Sequence, residues 1–260
     1  MIRRLIIFAV LVASSLAQGI GGKAGIGGKA GIGGGVPSGS AVTLVQHHSG
    51  TYAGGSASFI DSFTNNTVGD IGVVAVAWCS TTGNPVSITT VTDTSGNTYT
   101  IDATTLATIT GTHFANCNTE FVYTTSLKAF TGTNTVSVAF GASFASGAVD
   151  LYELTAGAFD QKHTGTNANT NVPTPGSITT GSNGSFYVAI GILDNGFGFA
   201  NGWFTAGSPF TLGVEAGGGN LNLAGEYYAQ TTAGAQAATF GTNFSGTTGP
   251  NAGTVITFKP

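Results

Sequence analysis

From Ala41 to the end of the chain, apolar and polar positions alternate in short runs rich in β-branched residues. The runs are Ala41–His47, Ile71–Cys79, Val86–Thr92, Thr98–Asp102, Glu120–Leu127, Thr135–Phe140, Ala148–Leu154, Ser185–Leu193, Ala224–Thr231, Ala237–Phe240 and Gly253–Phe258. Period-two alternation marks strands with one buried face, and clusters of Gly, Asn and Pro between the runs mark turns. Val73–Trp78 and Val188–Leu193 are almost continuously apolar. They predict central strands covered on both faces, one in each half of the domain. Asp93-Thr94-Ser95-Gly96-Asn97 supplies turn chemistry for a hairpin over Val91–Thr100. No helical periodicity lasts beyond about one turn. So many short strands predict an all-β fold: a two-sheet antiparallel β-sandwich, jelly-roll-like and built as a single domain. A single closed barrel is the alternative, and a propeller is excluded by the lack of blade repeats.

The first forty residues break this pattern. Arg3 and Arg4 precede a short apolar core, Leu5–Val12, and Ser15-Leu16-Ala17 offers a small-x-small cleavage site. Residues 1–17 therefore read as a Sec-type signal peptide and predict a secreted, extracellular protein. The apolar run is too short to span a bilayer, and no later run is long enough, so no membrane span is expected. Residues 18–40 form a Gly-rich arm in which GIGGKA repeats over Gly19–Ala24 and Gly25–Ala30. Such a segment is a flexible linker by composition. Its period of six is even, however, so in an extended chain the Ile and Ala side chains would share one face and Lys23 and Lys29 the other. That is a strand able to add to a sheet edge, in its own molecule or a neighbour's. The sandwich domain is assigned to residues 41–260.

Charge narrows the partners. Only 7% of residues are charged, against the usual ~25%. Cleavage would remove both arginines and leave five lysines against eleven acidic residues, a formal charge of −6. Nucleic-acid binding needs clustered basic groups, so it is not expected. A surface of Thr, Ser, Asn and Gly suits neutral partners, either glycans or copies of the same chain. Cys79 and Cys117 are the only cysteines, and in an exported chain an even pair predicts one disulfide. Trp78, beside Cys79, is expected to pack against it.

Gly69-Asp70-Ile71 leading into Trp78 is followed by an Asp93-x-x-Gly96-Asn97-x-Tyr99 turn. Tyr152-Glu153-Leu154 with Gly157 and Asp160, the run Ser185–Leu193 and the closing Val255-Ile256-Thr257-Phe258-Lys259 complete the pattern. Over residues 41–260 it resembles a loosely defined group of secreted bacterial jelly-roll or Ig-like β-sandwich domains of extracellular and surface proteins. The resemblance implies the fold and carries no catalytic motif.

Candidate chemistry is sparse. Asp150 and Glu153 are the closest carboxylates on one predicted strand, and a spacing of three sends them to opposite faces. Glu120, Glu215 and Glu226 are isolated in sequence. His47 and His48 also point to opposite faces, a poor chelate. No Gly-x-Ser-x-Gly elbow and no phosphate loop is present, so no catalytic residue and no transition-metal site is assigned. A structural calcium is possible at Asp93–Asn97, which offers several oxygens, although a plain turn explains the same residues. The recognition candidate is the stretch Asp194–Phe204. There Phe197, Phe199 and Trp203 could stack on sugar rings while Asp194, Asn195 and Asn201 bind hydroxyls. The competing reading sends those aromatics, which share parity, into the core. The expected function is a secreted, non-catalytic binding module for a glycan or another neutral surface. Its alternative is a fibre-forming structural protein whose arm docks on a neighbouring subunit. A polysaccharide hydrolase or lyase built from distant carboxylates is the third possibility.

Overall fold

The described residues form eighteen strands, and they fall into two successive sets of nine. The first set is β1 (Leu44–Ala53), β2 (Ser58–Thr64), β3 (Ile71–Ser80), β4 (Ile88–Asp93), β5 (Thr100–Ile101), β6 (Ala107–Ile109), β7 (Asn116–Thr124), β8 (Thr133–Phe140) and β9 (Ser146–Leu154). The second is β10 (Ala158–Thr170), β11 (Gly176–Thr180), β12 (Phe186–Asp194), β13 (Phe204–Thr205), β14 (Thr211–Gly218), β15 (Leu221–Ala229), β16 (Gly234–Ala238), β17 (Gly241–Thr242) and β18 (Gly249–Lys259). The computed structural model describes residues 39–81, 86–111, 113–194, 202–218, 221–243 and 248–260. Residues 1–38, which hold the expected signal peptide and nearly all of the Gly-rich arm, lie outside the described residues. Among the described residues no helix is long and apolar enough to cross a membrane.

All ladders between these strands are antiparallel, and the sheets stack as the all-β sandwich expected from the pattern. The sandwich has more layers than two. An inner sheet ordered β1-β9-β3-β7-β5, with β6 also on β7, faces a second inner sheet ordered β10-β18-β12-β15-β14. The sheet β2-β8-β4 covers the outside of the first, and the ribbons β11-β16 and β13-β17 cover the outside of the second. Alternation along β3 shows why its sequence is continuously apolar. Val73, Ala75, Ala77 and Cys79 face the other inner sheet, while Val74, Val76 and Trp78 face the outer one. β12 repeats this, with Val188, Ile190 and Ile192 inward and Tyr187 and Ala189 outward.

The two sets share one topology. In each, the first strand lies at the edge of the inner sheet, the last strand pairs beside it, and the third strand follows. Register makes the match specific. Val73 stands between Tyr152 of β9 and Tyr123 of β7, and Val188 stands between Ile256 of β18 and Tyr227 of β15. Tyr123 and Tyr227 thus hold equivalent positions, and each ring reaches the other half. Tyr123 stacks on Phe159 at 5.2 Å, and Tyr227 meets Tyr152 edge-on at 5.7 Å.

Two local expectations are corrected. Asp93–Asn97 does not close a hairpin, because β4 pairs with β8 in the outer sheet while β5 pairs with β7 in the inner one. The turn instead carries the chain between layers. Cys79 and Cys117 are directly opposed on β3 and β7 and form a disulfide. Trp78 points to the opposite face of β3, where it packs against Phe140 at 5.2 Å and donates its indole N–H to Val86 O at 2.7 Å. Adjacent residues on a strand cannot share a face.

Candidate functional site

A groove of about 400 Å³ opens where β6 of the first half meets β10 of the second. Its walls carry Thr108, Thr110, Thr166 and Asn167, with apolar surface from Ile109 and Pro250. The short strand β6 is held by Ile109 opposite Cys117, and Asn167 of β10 lies opposite Asn251 of β18. Asn251 in turn lies opposite Leu193, the residue before Asp194. The groove and the end of β12 are therefore at the same end of the sandwich.

Asp194 is fully buried there. Its carboxylate accepts the backbone N–H groups of His113 at 2.9 Å and Phe114 at 3.1 Å, and it meets His113 Nδ1 at 2.9 Å. Gly111 leaves room for it, since a Cβ at that position would collide with the carboxylate. Asp194 thus fastens the turn that follows Thr110. Trp203 is 2% exposed and packs with Leu193, Phe204, Ala224 and Phe240, so its ring presents no face to a ligand. Glu215 holds this segment by accepting the N–H groups of Gly202 at 2.6 Å and Phe204 at 2.7 Å. The remaining recognition candidates, Asn195, Phe197, Phe199 and Asn201, lie outside the described residues.

Polar groups between the layers are tightly partnered. Asp150 faces the second inner sheet, where it meets His47 Nε2 and accepts the Tyr152 hydroxyl. Burial raises its pKa against the lowering pull of these two partners. Gly213 and Gly225 make the space, because a Cβ on Gly213 would lie 2.7 Å from Asp150 Oδ2. Glu153 faces the opposite way, as its spacing from Asp150 required, and accepts Asn66 Nδ2 at 3.1 Å and Thr67 N at 2.8 Å. His47 and His48 also diverge, to Asp150 and Asp61. Burial pushes the Glu120 and Glu226 carboxyls up to about 7. No signal in a single sequence distinguishes these two from the other acids, because their burial depends on which layer covers them.

At the calcium candidate, donors already surround Asp93. Asn97 N at 2.8 Å, Asn97 Nδ2 at 2.6 Å, Tyr99 OH at 2.9 Å and Asn134 Nδ2 at 3.0 Å all bond its carboxylate. These bonds hold its pKa below the usual carboxylate range against the effect of burial. They build an Asx-type turn in which N–H and O–H groups stand where a cation would have to bind. Among the described residues no three His, Cys, Asp or Glu side chains converge as a metal site.

Comparison with known proteins finds no family model, no curated protein and no solved structure that matches this chain.

Proposed function

We propose that this chain is a non-catalytic binding module for a neutral, hydroxyl-rich polymer of the glycan class, acting in the extracellular setting its leader predicts. The observation that carries the reading is the groove between β6 and β10, walled by three threonines and an asparagine and, among the described residues, by no charged side chain. Its volume lies within the roughly 300–1,000 Å³ of small-ligand sites. Hydroxyl and amide groups offer both donors and acceptors to sugar hydroxyls, and Ile109 and Pro250 supply apolar surface for C–H faces. A hydrolase needs two carboxylates flanking one bond, and no carboxylate lines this groove.

A glycan array followed by calorimetry tests the proposal. Mature protein is expected to bind a neutral glycan, and Asn167→Ala and Thr110→Ala are each expected to weaken it about tenfold, the loss of one good hydrogen bond. Absence of binding to every neutral glycan, or binding that neither variant changes, would overturn it.

A second reading, self-assembly, draws on β10. This thirteen-residue strand lies at the edge of its sheet, with β18 as its one ladder partner among the described residues, and residues 18–36 of another copy could add to it as a strand.

A further inference from the structure

All eleven carboxylates of the chain lie among the described residues, and ten of them have a described partner. Aspartates 61, 102, 150, 160 and 194 meet His or Lys, Asp70 and Asp93 accept hydrogen bonds, and Glu153, Glu215 and Glu226 accept backbone N–H groups. Glu120 is the exception. It is 3% exposed as a residue, no hydrogen bond to its carboxyl is described, and its oxygens are not among the fully buried atoms without a partner. Two residues away on the same face of β7 lies Asn118, 1% exposed. Thr108 Oγ1 donates to Asn118 Oδ1 at 2.7 Å and so orients the amide, whose Nδ2 has no hydrogen-bond partner. A buried donor without a partner therefore sits beside a carboxyl that accepts no described hydrogen bond. A buried donor left unmet costs roughly 1–3 kcal/mol, and native interiors rarely leave such a group unfilled.

Their surroundings show why they are unmet. Glu120 lies opposite Val76 and Asn118 opposite Trp78, on the face of β7 directed to the outer layer. β5 pairs with β7 at Val122 and Tyr123, and β6 pairs from Cys117 to Thr119. Between them the chain leaves the ladder in a 3-10 turn, Ala103–Thr105, and Thr105 Oγ1 takes the Phe121 N–H at 2.9 Å. Glu120 stands at this notch in the sheet. Alternate residues of a strand are about 6.6 Å apart. A hydroxyl that donates to one group and accepts from the other spans about 5.6 Å.

We propose that Glu120 and Asn118 form a subsite for a single alcohol hydroxyl of a sugar or other neutral polyol, donated to the Glu120 carboxyl and accepting from Asn118 Nδ2. The source of the hydroxyl rests on the glycan reading, and the two sites are adjoining because Thr108 both walls the groove and holds the Asn118 amide. A hydroxyl carries one donor and spare acceptor capacity, which is the complement of this pair. The high pKa of Glu120, raised chiefly by burial and further by Asp102, suits a neutral guest.

The test uses isotope-labelled mature protein and two probes, sorbitol and methyl glucoside, with the Asn118 side-chain NH₂ resonances followed by NMR. A saturable shift of those resonances is expected, and Glu120→Ala and Asn118→Ala are each expected to weaken it about tenfold. Both variants are compared with wild type by far-UV circular dichroism, and Thr108→Val provides a third, conservative perturbation of the amide orientation. Resonances that neither probe moves, or that report an ordered water the probes do not displace, overturn the subsite. The outcome is separable from the groove's. Glycan binding that depends on Asn167 while Asn118 stays silent removes the subsite and keeps the module. A silent array with a responsive Asn118 does the reverse.

Discussion

Glu226 lies fully buried on β15, where Gly207 N donates to one oxygen at 2.8 Å. Burial pushes its carboxyl up to about 7 from an ordinary 4.5. Between those two values the native state keeps a proton that the unfolded chain has released. Stability should therefore fall as pH rises from about 4.5 to about 7 and level off above. Glutamine keeps the acceptor and cannot ionise. Glu226→Gln should thus flatten that part of the profile and be more stable than wild type at pH 8, by up to about 3 kcal/mol, with little difference at pH 4. Urea unfolding at the two pH values measures it, and parallel profiles would show that this carboxyl titrates in the fold as it does in the unfolded chain. None of this was legible in sequence. Period two tells which face Asp150, Glu153 or His47 takes, and those assignments agree with the fold. It does not tell what lies on that face, so the Asp150–His47 contact and the isolation of Glu120 needed the register of neighbouring strands. Trp78 is the opposite case: adjacency suggests the disulfide, whereas period two sends the ring to the other face of β3, onto Phe140.

Strands β3 and β12 were readable because layers on both sides make every position apolar. β10, the longest strand, reads AFDQKHTGTNANT and is half-exposed along most of its length, so its polar run resembles a loop. β2 is a different case. Its outward backbone is sealed by side chains of β1, with Ile60 N bonding Tyr52 OH at 2.8 Å and Thr64 N bonding Gln46 Oε1 at 2.8 Å. That arrangement blunts an edge without any local sequence signature. The turn after β6 likewise takes its shape from a distant residue, Asp194. Asp194→Ala would leave the His113 and Phe114 N–H groups without their acceptor, each costing about 1–3 kcal/mol if it stays buried. Amide hydrogen exchange across 113–115 should speed up, and glycan affinity should fall because Thr110 loses its anchor. Unchanged protection of those amides would mean that Asp194 does not hold the turn. The stretch Asp194–Phe204 was chosen from sequence as a ligand loop. Of its recognition candidates, the described two, Asp194 and Trp203, are instead a buried anchor and a core ring.

Across the whole molecule, the doubled topology escaped the sequence because few equivalent positions keep their residue. Taking Tyr123 and Tyr227 as the match sets Tyr152 against Ile256 and His47 against Lys162. What persists is the role, since His47 pairs with Asp150 and Lys162 with Asp102. The halves differ more at their rims. No described side chain bonds to the backbone of residues 162–169 of β10, in contrast to the sealed rim of β2, which leaves a long edge open to another strand. The GIGGKA arm has the even period such an addition requires. The self-assembly reading therefore predicts concentration-dependent association of mature protein by sedimentation velocity. Removing residues 18–36, which spares the unit that starts at Pro37, should abolish that association. A Pro at position 164 or 166, where it would deny the edge a donor or distort it, should do the same. A full-length protein that stays monomeric at high concentration would leave β10 a solvated edge protected by Lys162 and its two register shifts. The module would then act as single copies.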